Sequence, residues 1–480
     1  MPSLTSTATR AGFLLNGKWI TDGPTKEIRS PYDQSVVGAV VMANAQQLQQ
    51  AIAAAASAFE VTRKLASFER HRFLLDISEA IAERHEDFAR TIALEAGKPI
   101  KTARAEVDRA VFTFSIAAEE ATRIGGEWLP LDLQAFTAGR WGITRRYPLG
   151  PIAAITPFNF PLNLVAHKLA PAIAAGCSVV LKPAHQTPLT ALLLAEVIHK
   201  VGLPAGALNV LPLSNQDAAA LVEDDRLKLL SFTGSSTVGW QLKARSGKKR
   251  VGLELGGNAG VIIHSDADLA YAAERCAVGG FSYAGQSCIS VQRILVHRSH
   301  YSEFIERFVA RVSKLKVGDP MDDATDVGPL ITESDAVRAS DWAQEAISGG
   351  AKLLCGGKRH GSVLEPTVLT GTRPDMRVNC EEIFAPVKTV EAYDDFEDAL
   401  AMLNRSRYGL QAGIFTNDAK LIFRAYDELE VGGVIVGDVP TFRIDHMPYG
   451  GVKDSGLGRE GLRYAIEEMT EPKLLVMNLR

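Results

Sequence analysis

Between residues 151 and 255 the chain alternates short apolar runs with helix-like segments, and this alternation most narrows the folds open to it. Residues 152–155, 178–181, 209–211, 229–232 and 251–255 read as strands, with helices at 161–175 and 188–201. Strand, crossover helix and strand in succession require a parallel sheet joined by right-handed crossovers. A second alternating region runs from Gly260 to Gly437. Its strands are expected at 261–264, 293–297, 387–391, 412–415 and 433–436, and its helices at 269–279, 301–315, 334–348, 396–405 and 419–429. Two α/β units fit a chain of 480 residues. Open sheets of this kind gather ligands at the carboxyl ends of their strands. Asn159, Lys182, Gly234-Ser235 and Glu254 all fall at such ends.

The first part of the chain is of another kind. Residues 1–10 are small and polar and are expected to be disordered. A hairpin spans 13–20 with Asn16-Gly17 as its turn, and a strand is expected at 36–41. Helices are expected at 45–60, 67–84, 85–96 and 101–122, with Gly97-Lys98-Pro99 breaking the last two apart. Residues 125–147 read as an extended arm without a core of its own.

Composition excludes several classes of function. With 46% hydrophobic and 22% charged residues the chain is ordinary globular protein, and its net charge of −4 carries no footprint for nucleic acid. No apolar run is long enough to span a bilayer, and the N-terminus lacks the pattern of a secretory signal. Cys177, Cys276, Cys288, Cys355 and Cys380 form no C-x-x-C pair and are odd in number, which argues against a disulfide framework or a structural zinc site. A cytoplasmic protein with no membrane or nucleic-acid partner and no metal is expected.

Of the five cysteines, Cys288 stands out. It follows Gly285-Gln286-Ser287 and precedes an apolar, strand-like run. A thiol reacts as thiolate, so a nucleophilic cysteine needs nearby donors and a poised base. A half-buried packing cysteine is the plain alternative. Two segments weigh against it: Leu253-Glu254-Leu255-Gly256-Gly257-Asn258, a carboxylate before two glycines, and Thr156-Pro157-Phe158-Asn159-Phe160-Pro161, an amide set among aromatics and prolines.

Together these segments resemble the aldehyde dehydrogenase superfamily. The resemblance continues through Lys182-Pro183-Ala184, Phe232-Thr233-Gly234-Ser235, Glu381-Glu382-Ile383-Phe384-Ala385-Pro386 and Pro448-Tyr449-Gly450-Gly451-Val452-Lys453, and so covers nearly the whole chain. It implies an α/β aldehyde dehydrogenase-like fold: two Rossmann-like parallel-sheet domains plus a β oligomerisation arm. Residues 1–124 and 148–253 would form the dinucleotide-binding domain and 254–450 the catalytic thiol domain. Residues 125–147 and 451–480 would form the arm and C-terminal segment, with a strand at 473–479 joining a homodimer or homotetramer. Cys288 and Glu254 would then face each other across an interdomain cleft.

The implied chemistry is oxidation of an aldehyde to its acid. Cys288 attacks the carbonyl, the Asn159 amide and the Cys288 backbone N–H stabilise the oxyanion, and Glu254 activates water against the resulting thioester. NAD or NADP is the implied cofactor, held by Thr156, Pro157, Phe158, Lys182, Ala184, His185, Thr233, Gly234, Ser235, Leu255, Gly256, Glu382 and Phe384. The G-x-G-x-x-G fingerprint is missing, because Gly234 to Gly239 has the wrong spacing. Ser235 would instead offer a helix N-terminus to the pyrophosphate, or serve only as an N-cap. His185, where strictly NAD-dependent relatives often carry glutamate, removes a carboxylate that would repel a 2′-phosphate. Protonated or as a donor, it would contact that phosphate, and NADP is expected to be accepted.

A finer resemblance, through Asn163-Leu164-Val165-Ala166-His167-Lys168 and Thr441-Phe442-Arg443-Ile444-Asp445-His446-Met447, is to the lactaldehyde and phosphonoacetaldehyde dehydrogenase-like branch. It implies a small 2-hydroxyaldehyde such as lactaldehyde or glyceraldehyde, or an anionic aldehyde. The substrate would be held by Arg109, Phe160, Arg443, Ser287 and Ile289. Arg109 alternatively carries a solvated charge on a packing helix. The glycine-rich return 456–461 is expected to close the substrate mouth. A CoA-acylating enzyme and a non-catalytic member of the family are the rival readings, and retained Glu254 argues against the first.

Overall fold

The computed structural model describes residues 10–478. The expectation of a disordered leader falls on residues outside this range, apart from Arg10, which lies in the short strand Arg10–Ala11. Residue 479 of the expected last strand also lies outside it.

Two parallel sheets dominate the molecule. In the first, Arg250–Glu254, Leu229–Thr233, Ile152–Ile155, Val179–Lys182 and Leu208–Val210 lie side by side and parallel. The hairpin Phe13–Leu15 and Lys18–Ile20 closes one edge in antiparallel fashion. Its turn residues, Asn16 and Gly17, both have positive φ (48° and 71°), as a two-residue turn matching strand twist requires. The second sheet runs Lys352–Cys355, Thr367–Thr370, Val387–Tyr393, Arg293–His297, Gly260–Ile263, Gln411–Phe415 and Gly433–Val436. It is parallel except at its first strand.

Lys352–Cys355 and Thr367–Thr370 were not expected from sequence. Lys352 and Leu353 face solvent on the sheet edge, so the first of these strands carries no alternating apolar signal. The helix expected from residue 161 begins at Asn163, because Pro161 and Leu162 belong to the turn that precedes it.

Each sheet has its own buried core. The core around the first sheet includes Phe114, Val165, Leu181, Leu230 and Leu253, and it extends to Leu462 and Ile466 of the C-terminal helix Leu462–Glu468. The core around the second contains Val261, Phe281, Ile294, Phe304 and Phe308. The glycine-rich return does not cover the substrate mouth. Gly456–Leu457 instead pairs antiparallel with Leu253 and Glu254 and forms the far edge of the first sheet.

Residues Trp128–Pro130 and Arg140–Pro148 form a three-stranded antiparallel sheet with Thr470–Asn478, apart from both cores. Trp128, Leu133, Phe136, Leu474, Leu475 and Val476 of this arm are exposed. Among the described residues, no helix is long and apolar enough to cross a membrane.

Candidate active site

A cavity of about 320 Å³ opens between the two sheets, lined from one side by the carboxyl ends of the first sheet's strands and from the other by the Cys288 loop. Three consecutive residues before Gln286, namely Tyr283, Ala284 and Gly285, have left-handed backbones with φ of 49°, 53° and 71°. For residues with side chains this conformation costs about 1–2 kcal/mol each, and it persists only where the surroundings hold it. Here they do. The Tyr283 hydroxyl donates to Ala96 O at 3.0 Å, and the Gln286 amide bridges Ile331 N (2.9 Å) and Pro329 O (3.3 Å).

Glu106 shapes the opposite wall. Its Oε1 accepts from the backbone N–H groups of Leu162 (2.9 Å) and Asn163 (3.1 Å) at the start of helix Asn163–Ala175. Its other oxygen pairs with buried Lys98. Burial pushes Lys98 down to about 8 despite that carboxylate. The Lys98 ammonium in turn sits 3.7 Å above the centre of the Phe160 ring and 4.5 Å above that of Tyr283. One buried ion pair therefore ties the 157–161 turn to the cysteine loop.

Asn159, Glu254 and Cys288 all line this cavity. Asn159 Nδ2 donates one hydrogen to Gln286 O at 3.0 Å, which fixes the amide and leaves its second N–H uncommitted. The Cys288 sulfur lies 2.9 Å from the Tyr449 hydroxyl. Burial pushes the thiol up to about 12, while Tyr449 and the charge of Arg443 pull in the other direction. Glu254 is raised well above the usual carboxylate range, first by burial and then by the charge of Glu460. Its Oε2 is buried without a hydrogen-bond partner.

The two glycines after Glu254 are places where backbone must approach closely. A Cβ on Gly256 would stand 2.2 Å from Glu382 Oε2, and one on Gly257 would stand 2.1 Å from Cys288 O. Gly257 N donates to Glu382 Oε1 at 3.0 Å. Burial raises Glu382 to about 7. Phe384, at φ 50°, meets Phe158 edge to face at 6.0 Å.

The other predicted cofactor residues divide into two groups. Pro157, Thr233, Gly234, Ser235 and Leu255 line the same cavity. Ser235 is exposed at the N-terminus of helix Ser236–Arg245, and its side chain makes no capping bond. Thr156, Lys182, Ala184 and His185 lie outside the cavity, around the end of strand Val179–Lys182. His185 is exposed, and burial of its ring together with the charges of Lys26 and Lys182 lowers its pKa. This disfavours the protonated form considered from sequence and leaves the imidazole as a neutral donor.

Of the predicted substrate residues, Phe160, Ser287, Ile289, Arg109 and Arg443 all line the cavity. Neither arginine is a solvated charge. Arg109 holds Asp445 through Nε (3.1 Å) and Nη2 (2.6 Å). Arg443 pairs with Glu460 at 2.9 Å and stacks 3.7 Å over the Tyr449 ring. Its Nε is buried without a partner. Asp445 also receives Asn163 Nδ2 (3.0 Å) and faces His167 Nε2 (2.8 Å), while Lys168 reaches Glu460 at 3.5 Å.

Sequence reasoning missed Tyr449, Glu460 and Asp445 as members of the site. Tyr449 stood inside a quoted motif. Glu460 and Asp445 gave no signal of their own, since each matters only through the arginine it meets.

A model of the aldehyde dehydrogenase family matches residues 19–475. The chain is 44% identical over 480 residues to 3-sulfolactaldehyde dehydrogenase of Priestia megaterium, covering 100% of both chains. Aldehyde dehydrogenase 21 from Physcomitrella patens, solved in complex with the reaction product succinate, superposes with a TM-score of 0.97 at 46% identity, over 98% of this chain and 99% of that one. Glyceraldehyde-3-phosphate dehydrogenase from Methanocaldococcus jannaschii, solved with NADP, superposes at 0.92 with 40% identity, over 96% and 100%. The chain belongs to the aldehyde dehydrogenase family.

Proposed function

We propose that the protein oxidises a short aldehyde, 2-hydroxylated or carrying an anionic group at its far end, to the carboxylic acid with NAD or NADP. The carrying observation is the mixed lining of one cavity. Cys288, Glu254 and Asn159 line it together with Arg109 and Arg443, whose carboxylate partners Asp445 and Glu460 lie behind the lining. A guanidinium suits a bidentate oxyanion. 3-Sulfolactaldehyde dehydrogenase and glyceraldehyde-3-phosphate dehydrogenase are named for aldehydes with both features, and succinate is a dicarboxylate. The neutral 2-hydroxyaldehyde reading keeps one support, since both arginines already have a counter-charge.

The residues fit a dinucleotide. Gly256 clears space beside Glu382, Ser235 opens a helix N-terminus, and Lys182 is buried without a counter-ion among the described residues. The cofactor, when bound, accepts hydride from the substrate carbon. Within the chain, ionised Glu254 takes the Cys288 proton. The sulfur then bonds to the carbonyl carbon, and the free N–H of Asn159 meets the oxygen as it gains negative charge. Loss of hydride leaves a thioester on Cys288. Glu254 passes the thiol's proton on to solvent and, ionised again, takes a proton from water; the new C–O bond displaces sulfur as thiolate, and the acid leaves. The exposed apolar arm fits a second copy of the chain, in a homodimer or homotetramer.

A panel of matched aldehydes with both cofactors tests the reading. Succinate semialdehyde and glyceraldehyde 3-phosphate should exceed butanal and glyceraldehyde in kcat/KM by about tenfold or more, a gap of about 1.4 kcal/mol. Arg109→Met and Arg443→Met should close that gap by raising KM for the anionic member. Equal rates for charged and uncharged members in wild type would overturn the anionic assignment.

A further inference from the structure

Outside the cavity, strand Thr25–Arg29 of the small N-terminal sheet runs past the end of strand Val179–Lys182. It brings Lys26 to the nucleotide side of the molecule, and Lys26 Nζ donates to His185 O at 3.0 Å. Lys182 is only 5% exposed, yet its ammonium makes no hydrogen bond or ion pair among the described residues. The His185 ring stands beside both. The charges acting on Lys182 and His185 are cationic: Lys26 on both, and Lys182 on His185. Glu27, the neighbouring acid, is engaged by Arg29. Two ammonium groups and an imidazole thus share a corner in which no carboxylate balances them.

Like charges placed together without a counter-ion are unfavourable, and a buried ammonium without a partner adds the penalty of desolvation. A dianion arriving there would relieve both. The family resemblance implies that Lys182 meets the adenosine ribose, whose 2′-hydroxyl carries the phosphate that distinguishes NADP from NAD. A phosphate monoester of this kind bears about −1.5 to −2 charges near neutral pH.

We propose that Lys26, with Lys182 and His185, reads the 2′-phosphate of NADP and sets the enzyme's preference between the two cofactors; this rests on the dinucleotide reading above. Lys26 comes from a segment more than 150 residues before Lys182 and His185, and sequence pattern alone assigned it no role. Its Nζ is anchored by one carbonyl and retains two further hydrogens for an anion.

The test is calorimetric and needs no turnover. Wild type, Lys26→Met and Lys26→Arg are titrated with adenosine 2′,5′-bisphosphate and with 5′-AMP. Lys26→Met should weaken the bisphosphate about tenfold and leave 5′-AMP within about twofold. Lys26→Arg should restore most of the bisphosphate affinity, because it keeps the charge. Wild-type affinity for the bisphosphate should fall more steeply with salt than that for 5′-AMP, and the methionine variant should lose part of that slope. Unchanged bisphosphate affinity in Lys26→Met overturns the proposal. So does equal loss for both ligands, which would mark Lys26 as a structural support for the 185 loop. Wild type that binds 5′-AMP but not the bisphosphate overturns the proposal while leaving the dinucleotide site standing. Binding of neither ligand overturns both.

Discussion

The site holds two buried glutamates, Glu254 on the cavity wall with the thiol and Glu460 behind that wall with Arg443, and the two are held in opposite states. Glu254 and Glu460 are each 7% exposed. Glu254 is raised well above the ordinary range, first by burial and then by the charge of Glu460. Glu460 is pushed up by the same burial, yet Lys168, His167 and Arg443 hold it down at about 2. Burial alone therefore does not decide what a carboxylate does. Paired cations do: Arg443 and Lys168 reach Glu460, whereas on the thiol side no ion pair reaches Glu254 among the described residues. A paired carboxylate is a fixed charge that positions an arginine. An unpaired one is left raised by burial and can exchange protons. Burial raises the thiol on the same wall as well.

The largest break in this division comes from Cys288→Ala. It removes the only thiol in the cavity, and turnover should fall by about 10⁴-fold or more, in line with loss of a nucleophile elsewhere. Nucleotide binding and the melting temperature should stay near wild type. Residual oxidation of a good substrate within tenfold of wild type would assign the chemistry to another group.

Glu254→Gln should come next, lowering steady-state turnover by about 10²–10⁴-fold. The loss should fall more on thioester hydrolysis than on acylation, so rapid mixing should show a burst of reduced cofactor followed by slow release. The sign of the pH dependence follows from the raised pKa. Protonated Glu254 is no base, so the wild-type rate should climb with pH as the carboxylate ionises. The glutamine variant should lack that limb. A rising limb that survives the substitution would belong to another group.

Asn159→Ala tests the donor that the thiol side does keep. One N–H is bound by Gln286 O, and the other is the oxyanion donor, so kcat should drop about 10²–10³-fold. The alanine also frees the Gln286 carbonyl; Asn159→Asp, which keeps the size but donates to neither that carbonyl nor the oxyanion, should lose at least as much. Comparable activity in both would place the oxyanion elsewhere.

How much of this division was open to sequence reading follows from its physics. Parallel strands buried on both faces write themselves as apolar runs, and residues at their ends can be placed without coordinates; Asn159, Lys182 and Glu254 were. Cys288 was legible through its Gly285-Gln286-Ser287 turn taken together with the segments around Glu254 and Asn159. Pairing was not. Arg443 and Glu460 are 17 residues apart and meet only after the return strand Gly456–Leu457 joins the first sheet's edge. Arg109 and Asp445 meet across 336 residues. Both arginines read as free anion contacts until their carboxylates came into view. The return was misplaced for a related reason: its glycines look like a flexible lid, but a Cβ on Gly456 would stand 2.2 Å from Leu253 O, so they serve a close edge pairing.

The smallest expected effect is also the most direct probe of the thiol side, and it concerns Tyr449. Its hydroxyl, 2.9 Å from the sulfur, is the one side-chain hydrogen bond that holds the Cys288 pKa down. Tyr449→Phe deletes that hydroxyl and leaves the ring on which Arg443 stacks. If the tyrosine donates to the thiolate, its loss should raise the thiol further, by up to about one pKa unit. With the thiol already far above working pH, the thiolate fraction then falls tenfold. A more basic thiolate is also a better nucleophile, and with a Brønsted coefficient of about 0.4–0.5 this returns roughly a factor of three. The net loss in alkylation rate by iodoacetamide, followed on the Cys288 peptide by mass spectrometry, should be about three- to fourfold at fixed pH. The acylation rate should fall by a similar factor, and the KM for the anionic aldehyde should hold because the Arg443–Glu460 pair is untouched. An unchanged alkylation rate would show that the sulfur donates to the tyrosine oxygen. The sulfur would then have no side-chain hydrogen bond stabilising its thiolate until substrate and cofactor arrive.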